Sequence, residues 1–255
     1  MGRKKVIGPC HICGHTRELS FEHVPPRAAF NNRPLRVLRG LEIHTAEHDP
    51  RNGAVQQKGS GAYTLCERCN NDTGSWYGAA YADWACHGLA FLPHALSAPS
   101  LYLSYRIFPL RILKQVVCMF FSVNTPDFRR NHPYLEKFVL NRRLTGLPPE
   151  VKIFCFLAPG PKSRQVGIAG STNLKTGAIT VLSEVTFPPH GYVLCLGSGP
   201  PDERLVDITI FATSAIDDRR EIHLRLPVLP VHTAFPGDYR SRDEVLREAD
   251  KGGGR

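Results

Sequence analysis

The chain has no apolar run long enough to cross a bilayer. A spanning helix takes about 20 consecutive apolar residues, and the best candidate here, Val116 to Val123, is short and follows Arg111 and Lys114. A secretory leader is missing as well. Gly2-Arg3-Lys4-Lys5 is basic, but Val6-Ile7 leads straight into Gly8-Pro9-Cys10 with no hydrophobic segment between. These absences predict a soluble, cytoplasmic protein with no membrane partner. No internal repeat is visible, and 42% hydrophobic with 22% charged residues is ordinary globular usage, which sets aside wholesale disorder and fibrous architectures. Acidic residues are in short supply: 23 Asp+Glu stand against 32 Lys+Arg, a net +9 with His neutral. That balance fits a polyanion such as nucleic acid, while a basic solvated surface with no partner is the other reading. At 255 residues the chain can bury a core as one large domain or two small ones.

What is present is cysteine in an informative arrangement. Of the eight, four form two Cys-x-x-Cys pairs, Cys10/Cys13 and Cys66/Cys69. Cys86, Cys118, Cys155 and Cys195 stand singly, the last three inside apolar runs where cysteine behaves as a small buried hydrophobe. In a reducing compartment the paired motif reads as metal ahead of disulfide. Each pair presents two thiolates from one tight turn, and two such turns make a tetrahedral sulfur site suited to zinc. Four sulfur ligands leave no open coordination position, so this zinc is structural. The wide separation of Cys13 from Cys66 exceeds a compact zinc ribbon and implies a substantial insertion between the two knuckles.

Composition shifts near residue 98, where Pro93 to Pro99 marks a boundary. Before it, a helix is predicted from Asn71 or Asp72 through Trp76, Tyr77, Tyr81 and Trp84, the aromatics serving as packing rather than as a base-stacking platform. After it, Pro109 opens a helix with Leu110, Leu113, Val117, Phe120 and Phe121 at helical spacing, ended by Asn124 to Asp127. A short helix follows over Tyr134 to Arg143. Strands are expected at 151–157, 165–169, 178–185, 192–196, 205–212 and 221–226, the second and third as a hairpin. Strands bunched in this way favour an antiparallel α+β layer.

Between the knuckles stands Leu19-Ser20-Phe21-Glu22-His23-Val24-Pro25-Pro26, and the second knuckle continues as Cys69-Asn70-Asn71-Asp72-Thr73-Gly74. The order Cys-x-x-Cys, Glu-His, Cys-x-x-Cys-Asn resembles the four-cysteine members of the HNH endonuclease family over about residues 8 to 80. That resemblance implies a zinc-stapled ββα-metal domain over 1–98; beyond its reach, the strand pattern predicts a mostly antiparallel α+β domain over 99–245, and the polar, Gly-rich end predicts a disordered tail over 246–255. It implies metal-dependent hydrolysis of DNA phosphodiester bonds, with His23 as general base and a Mg²⁺ or Mn²⁺ ion held by Glu22 and Asn70. Products would carry 3′-hydroxyl and 5′-phosphate ends, and the biological setting would be phage defence or restriction. In the resemblance Glu22 stands where Asp is commoner, and no Asn lies near Gly61, where the family's middle Asn orients the His. That role then passes to a backbone carbonyl, passes to a side chain such as His44 or His48, or is lost.

Arg27, Arg33, Arg36 and Arg39 lie between the proposed base and the helix and could neutralise phosphates, although solvated arginines are the default. Asn70 is equally suited to capping the helix, and Asn71 more so. The competing function is a catalytically degenerate zinc module that binds nucleic acid without cutting it. The second half of the chain would serve substrate placement, self-association or a protein partner.

Overall fold

Two short turns and an antiparallel ribbon organise the first part of the chain. Strand β1 (Ile7–Pro9) pairs with β2 (Thr16–His23), and β2 pairs with β5 (Gly61–Cys66), giving the order β1-β2-β5. A bulge between Ser20 and Phe21 offsets the β2/β5 ladder and leaves Thr64 as the extra residue of β5. A smaller ribbon joins β3 (Leu35–Val37) to β4 (Ala54–Gln56). This computed structural model describes residues 5–38, 53–95, 98–160, 162–172, 177 and 179–252.

Helix α1 (Glu67–Thr73) begins directly after Cys66 and continues through a π-helical turn (Gly74–Gly78) into α2 (Ala79–Ala95). The sequence predicts a start at Asn71 or Asp72; the helix opens earlier because the knuckle itself is its first turn. Residues three apart lie side by side on a helix, so Cys66-x-x-Cys69 meets the spacing of both structures. Asn71, expected as a cap, is an exposed residue inside α1, and the capping position belongs to Cys66 with no side-chain hydrogen bond.

The second sheet runs in the order β11-β7-β10-β9-β8, every neighbour antiparallel, from β7 (Val151–Leu157), β8 (Arg164–Thr172), β9 (Ile179–Phe187), β10 (His190–Leu196) and β11 (Val206–Asp207). The expected hairpin is β8/β9; residues 173–176 and 178 of its turn lie outside the described residues. The strand expected over 205–212 shrinks to two residues followed by a 3₁₀ turn (Thr209–Thr213). Asp207 accounts for this, since its carboxylate accepts the Thr209 N–H at 2.7 Å and draws the backbone out of the ladder. Strand β6 (Ser100–Ile107) was not anticipated and pairs with β12 (Arg220–Pro227). Its alternation is plain in hindsight: Leu103, Tyr105 and Ile107 are buried, and Tyr102, Ser104 and Arg106 are exposed.

Helix α3 (Pro109–Val123) runs through the middle of the molecule and is buried over most of its length, including the polar Lys114, Gln115 and Ser122. Lys114 donates its ammonium to the carbonyls of Phe138 and Asn141 at the C-terminal end of α5 (Pro133–Leu140), where helical carbonyls lack partners. Burial pulls its pKa down to about 8. Helix α4 (Asp127–Asn131) precedes α5, and α6 (Arg242–Gly252) occupies part of the tail expected to be unstructured from residue 246. Residues 253–255 lie outside the described residues. One apolar cluster draws on Leu19, Tyr77 and Trp84 from before residue 98 and on Leu113, Phe120, Ile153, Tyr192 and Leu226 from after it. Packing thus runs across the change in composition.

Against that cluster His190 stacks on Trp84 at 4.7 Å, and among the described residues neither ring nitrogen has a hydrogen-bond partner. Burial pulls its pKa down to about 3. Below pH 6.5 the unfolded chain therefore binds a proton that the folded chain refuses, so this residue makes stability fall as pH drops, until about pH 3. Between pH 7 and pH 5, His190→Phe should lose about 2 kcal/mol less stability than the wild type. Urea unfolding at the two pH values checks this; equal losses would remove His190 as the acid-sensitive group.

Candidate metal centre and adjoining site

The first knuckle is the β1–β2 turn. It closes through Cys10 N–H to the His15 carbonyl (3.0 Å) and Gly14 N–H to the Cys10 carbonyl (2.8 Å). Gly14 has φ +73°, a left-handed backbone conformation that favours glycine. The second knuckle spans the end of β5 and the first turn of α1. His11 ties the two together: its N–H donates to the Thr64 carbonyl at 2.9 Å, and Nδ1 donates to the Phe121 carbonyl at the end of α3 at 3.0 Å.

All four thiols are free, and their sulfurs lie within 4.8 Å of one another, Cys13 and Cys66 at 3.9 Å. Zinc–sulfur bonds of about 2.3 Å in a tetrahedron set sulfurs about 3.8 Å apart, whereas a disulfide would need about 2.05 Å. As bare thiols they cannot all ionise. A hydrogen bond from Cys69 pulls Cys10 down to about 4, and the same bond pushes Cys69 up. A divalent ion would turn all four into thiolates. The cluster could hold zinc, as its spacing predicts.

Glu22 and His23 end β2, and Asn70 of α1 approaches the same strand at Ser20 and Phe21. Glu22 is 7% exposed, and burial together with the Glu22 charge pushes the Cys118 thiol of α3 up. Its carboxyl makes no hydrogen bond or ion pair among the described residues, and burial pushes its pKa up to about 8. Asn70 lies one turn before Thr73 and donates Nδ2 to Ser20 Oγ (3.0 Å) and to the Phe21 carbonyl (3.4 Å). Ser20 Oγ donates its own proton to the Leu65 carbonyl at 3.0 Å, so it can only accept from Asn70. Both contacts thus fix the amide, turning Oδ1 away from the strand. Among the described residues neither the Glu22 carboxyl nor Asn70 Oδ1 has a hydrogen-bond partner.

His23 faces the other side of the strand, edge-on to Phe21 at 5.0 Å, with Tyr63 beyond. The structure does not put the imidazole on the face that carries Glu22 and Asn70. His23 Nε2 donates to the Lys58 carbonyl at 2.9 Å, because a carbonyl can only accept. Nδ1 keeps its lone pair. Burial, opposed by that hydrogen bond and joined by the charges of Arg27 and Lys58, lowers the imidazole pKa and keeps the ring neutral.

Of the other anticipated groups, Arg27 stands beside His23, and Arg33 and Arg36 are exposed at the β3/β4 ribbon, Arg36 donating to the Gly53 carbonyl at 3.2 Å. Arg39, His44 and His48 lie outside the described residues. Sequence reasoning missed three residues. Lys58 supplies the carbonyl, Asn31 clamps the loop that carries it, and Gln165 of β8 donates to Ser60 Oγ (2.8 Å) and to the Val24 carbonyl. Gly59-Ser60-Gly61 announced a tight loop; the partners holding it are remote in sequence and left no local signal. Comparison with protein-family models, curated proteins and solved structures finds no match.

Proposed function

We propose that the chain is a metal-dependent nuclease of the HNH type, hydrolysing DNA phosphodiester bonds. The observation that carries this reading is an imidazole whose Nδ1 is free, next in sequence to a buried carboxyl without a partner, both among the described residues. His23 Nδ1 takes a proton from the attacking water while the Lys58 carbonyl steadies the imidazolium through Nε2–H. Arg27 and Lys58 neutralise the phosphate they draw in, and the same charges keep the base unprotonated. Glu22 and Asn70 would hold a Mg²⁺ or Mn²⁺ ion, which stabilises charge on the phosphoryl and leaving oxygens when bound. Zinc keeps β2 and α1 in register and takes no part in the chemistry.

Glu22→Gln preserves the shape of the side chain and removes its ability to ionise when a cation binds. With plasmid as substrate, the variant should need at least tenfold more Mg²⁺ for half-maximal cleavage. An unchanged Mg²⁺ requirement would overturn the assignment of Glu22. A wild-type protein that binds DNA with steep salt dependence yet cuts nothing in Mg²⁺, Mn²⁺ or Ni²⁺ would be the binding module instead.

A further inference from the structure

We infer that Asn31 is a positioning residue for His23, holding at a fixed separation the two backbone segments that carry the imidazole and its acceptor. No Asn stands near Gly61 in the sequence, and the contact to His23 comes from the Lys58 carbonyl in the loop between β4 and β5. That loop has no regular structure of its own, so something else must fix where the carbonyl points.

Asn31 is 1% exposed and uses its whole amide to do so. Nδ2 donates to the carbonyls of Pro25 and Ser60, both at 2.7 Å, and Oδ1 accepts the Ser60 N–H at 2.6 Å. Pro25 is two residues past His23 and Ser60 two past Lys58, so one side chain bridges the continuations of both. The intervening Gly59 has φ +93° and packs so closely that a Cβ would stand 2.4 Å from the Asn31 carbonyl oxygen. Val24 N–H adds a bond to the Ser60 carbonyl at 3.0 Å. Gln165 clasps the same two segments from outside through Val24 and Ser60, so the second sheet takes part in the arrangement. The consequence for turnover rests on the nuclease reading; the consequence for the imidazole does not.

The test uses the full-length, zinc-loaded chain with Asn31→Ala and Gln165→Ala. Gln165 is exposed on an edge strand, so its variant folds even where loss of Asn31 proves too disruptive. In ¹⁵N-resolved spectra the His23 Nε2–H proton should be visible in the wild type, lost to solvent exchange in Asn31→Ala and broadened in Gln165→Ala. On plasmid DNA, kcat should drop roughly tenfold or more for Asn31→Ala and a few-fold for Gln165→Ala, with KM and zinc content unchanged. An undisturbed Nε2–H resonance in both variants overturns the inference, whether or not the wild type cleaves DNA. A lost resonance in a protein that cuts nothing upholds the positioning and removes only the nuclease reading.

Discussion

His23→Ala should abolish Mg²⁺-dependent cleavage of plasmid DNA and leave the melting temperature within about 3 °C of the wild type. Removing a general base costs typically 10²- to 10⁴-fold in rate. The folded state loses little, because the imidazole is only half buried and its one hydrogen bond, to the Lys58 carbonyl, is partly exposed. Such a bond is worth about 1 kcal/mol, which moves the melting point of a chain this size by only a few degrees. Cleavage at the wild-type rate would end the assignment of His23. A large fall in melting temperature would make the residue structural instead.

Cys66→Ser, or stripping zinc with a chelator, should unfold far more than the knuckles. A four-sulfur zinc site contributes about 10–16 kcal/mol near neutral pH, comparable to the whole stability of an ordinary domain. The sequence taken by itself suggests damage confined to the first 98 residues. The packing argues for a wider loss. Cys66 begins the helical run that carries Tyr77 and Trp84 into the central cluster, where Trp84 donates to Tyr192 Oη at 2.8 Å and stacks on His190 of the second sheet. Chelation should therefore produce one transition in which tryptophan fluorescence and sheet circular dichroism change together. A zinc-free chain that keeps its second sheet and its buried tryptophan would show the two halves to be independent.

Much that depends on short-range spacing was legible in the sequence, although the alternation of β6 went unread. Two Cys-x-x-Cys pairs sit in turns that bring four sulfurs within reach of one ion. The stripe on α3 and the β8/β9 hairpin follow from apolar period and turn chemistry. Glu22 and His23 were picked out by resemblance, but their opposite facing is a property of the strand's pleat. What could not be read is what long-range hydrogen bonds decide. Asn31 finds Ser60, and Gln165 finds Val24, only once the fold has brought them together. The strand forecast over 205–212 failed for the opposite reason, since the local Asp207–Thr209 bond outcompeted a good apolar pattern. The start of α1 was misjudged because cysteine is a poor helix signal, even where a metal-binding turn and a helical turn coincide.

The bulge between Ser20 and Phe21 constrains how this part of the chain can diverge. Thr64 is surplus to the ladder, and its carbonyl is the one that receives His11 N–H from the opposite knuckle. A deletion there would straighten the ribbon and take away that acceptor in one step. Residues 61–66 are consequently fixed in number, and Gly61 and Cys66 in identity as well, the first because a Cβ there would stand 2.0 Å from the Glu22 carbonyl oxygen and the second because it is one of the four sulfurs; descendants of this sequence should vary in length elsewhere.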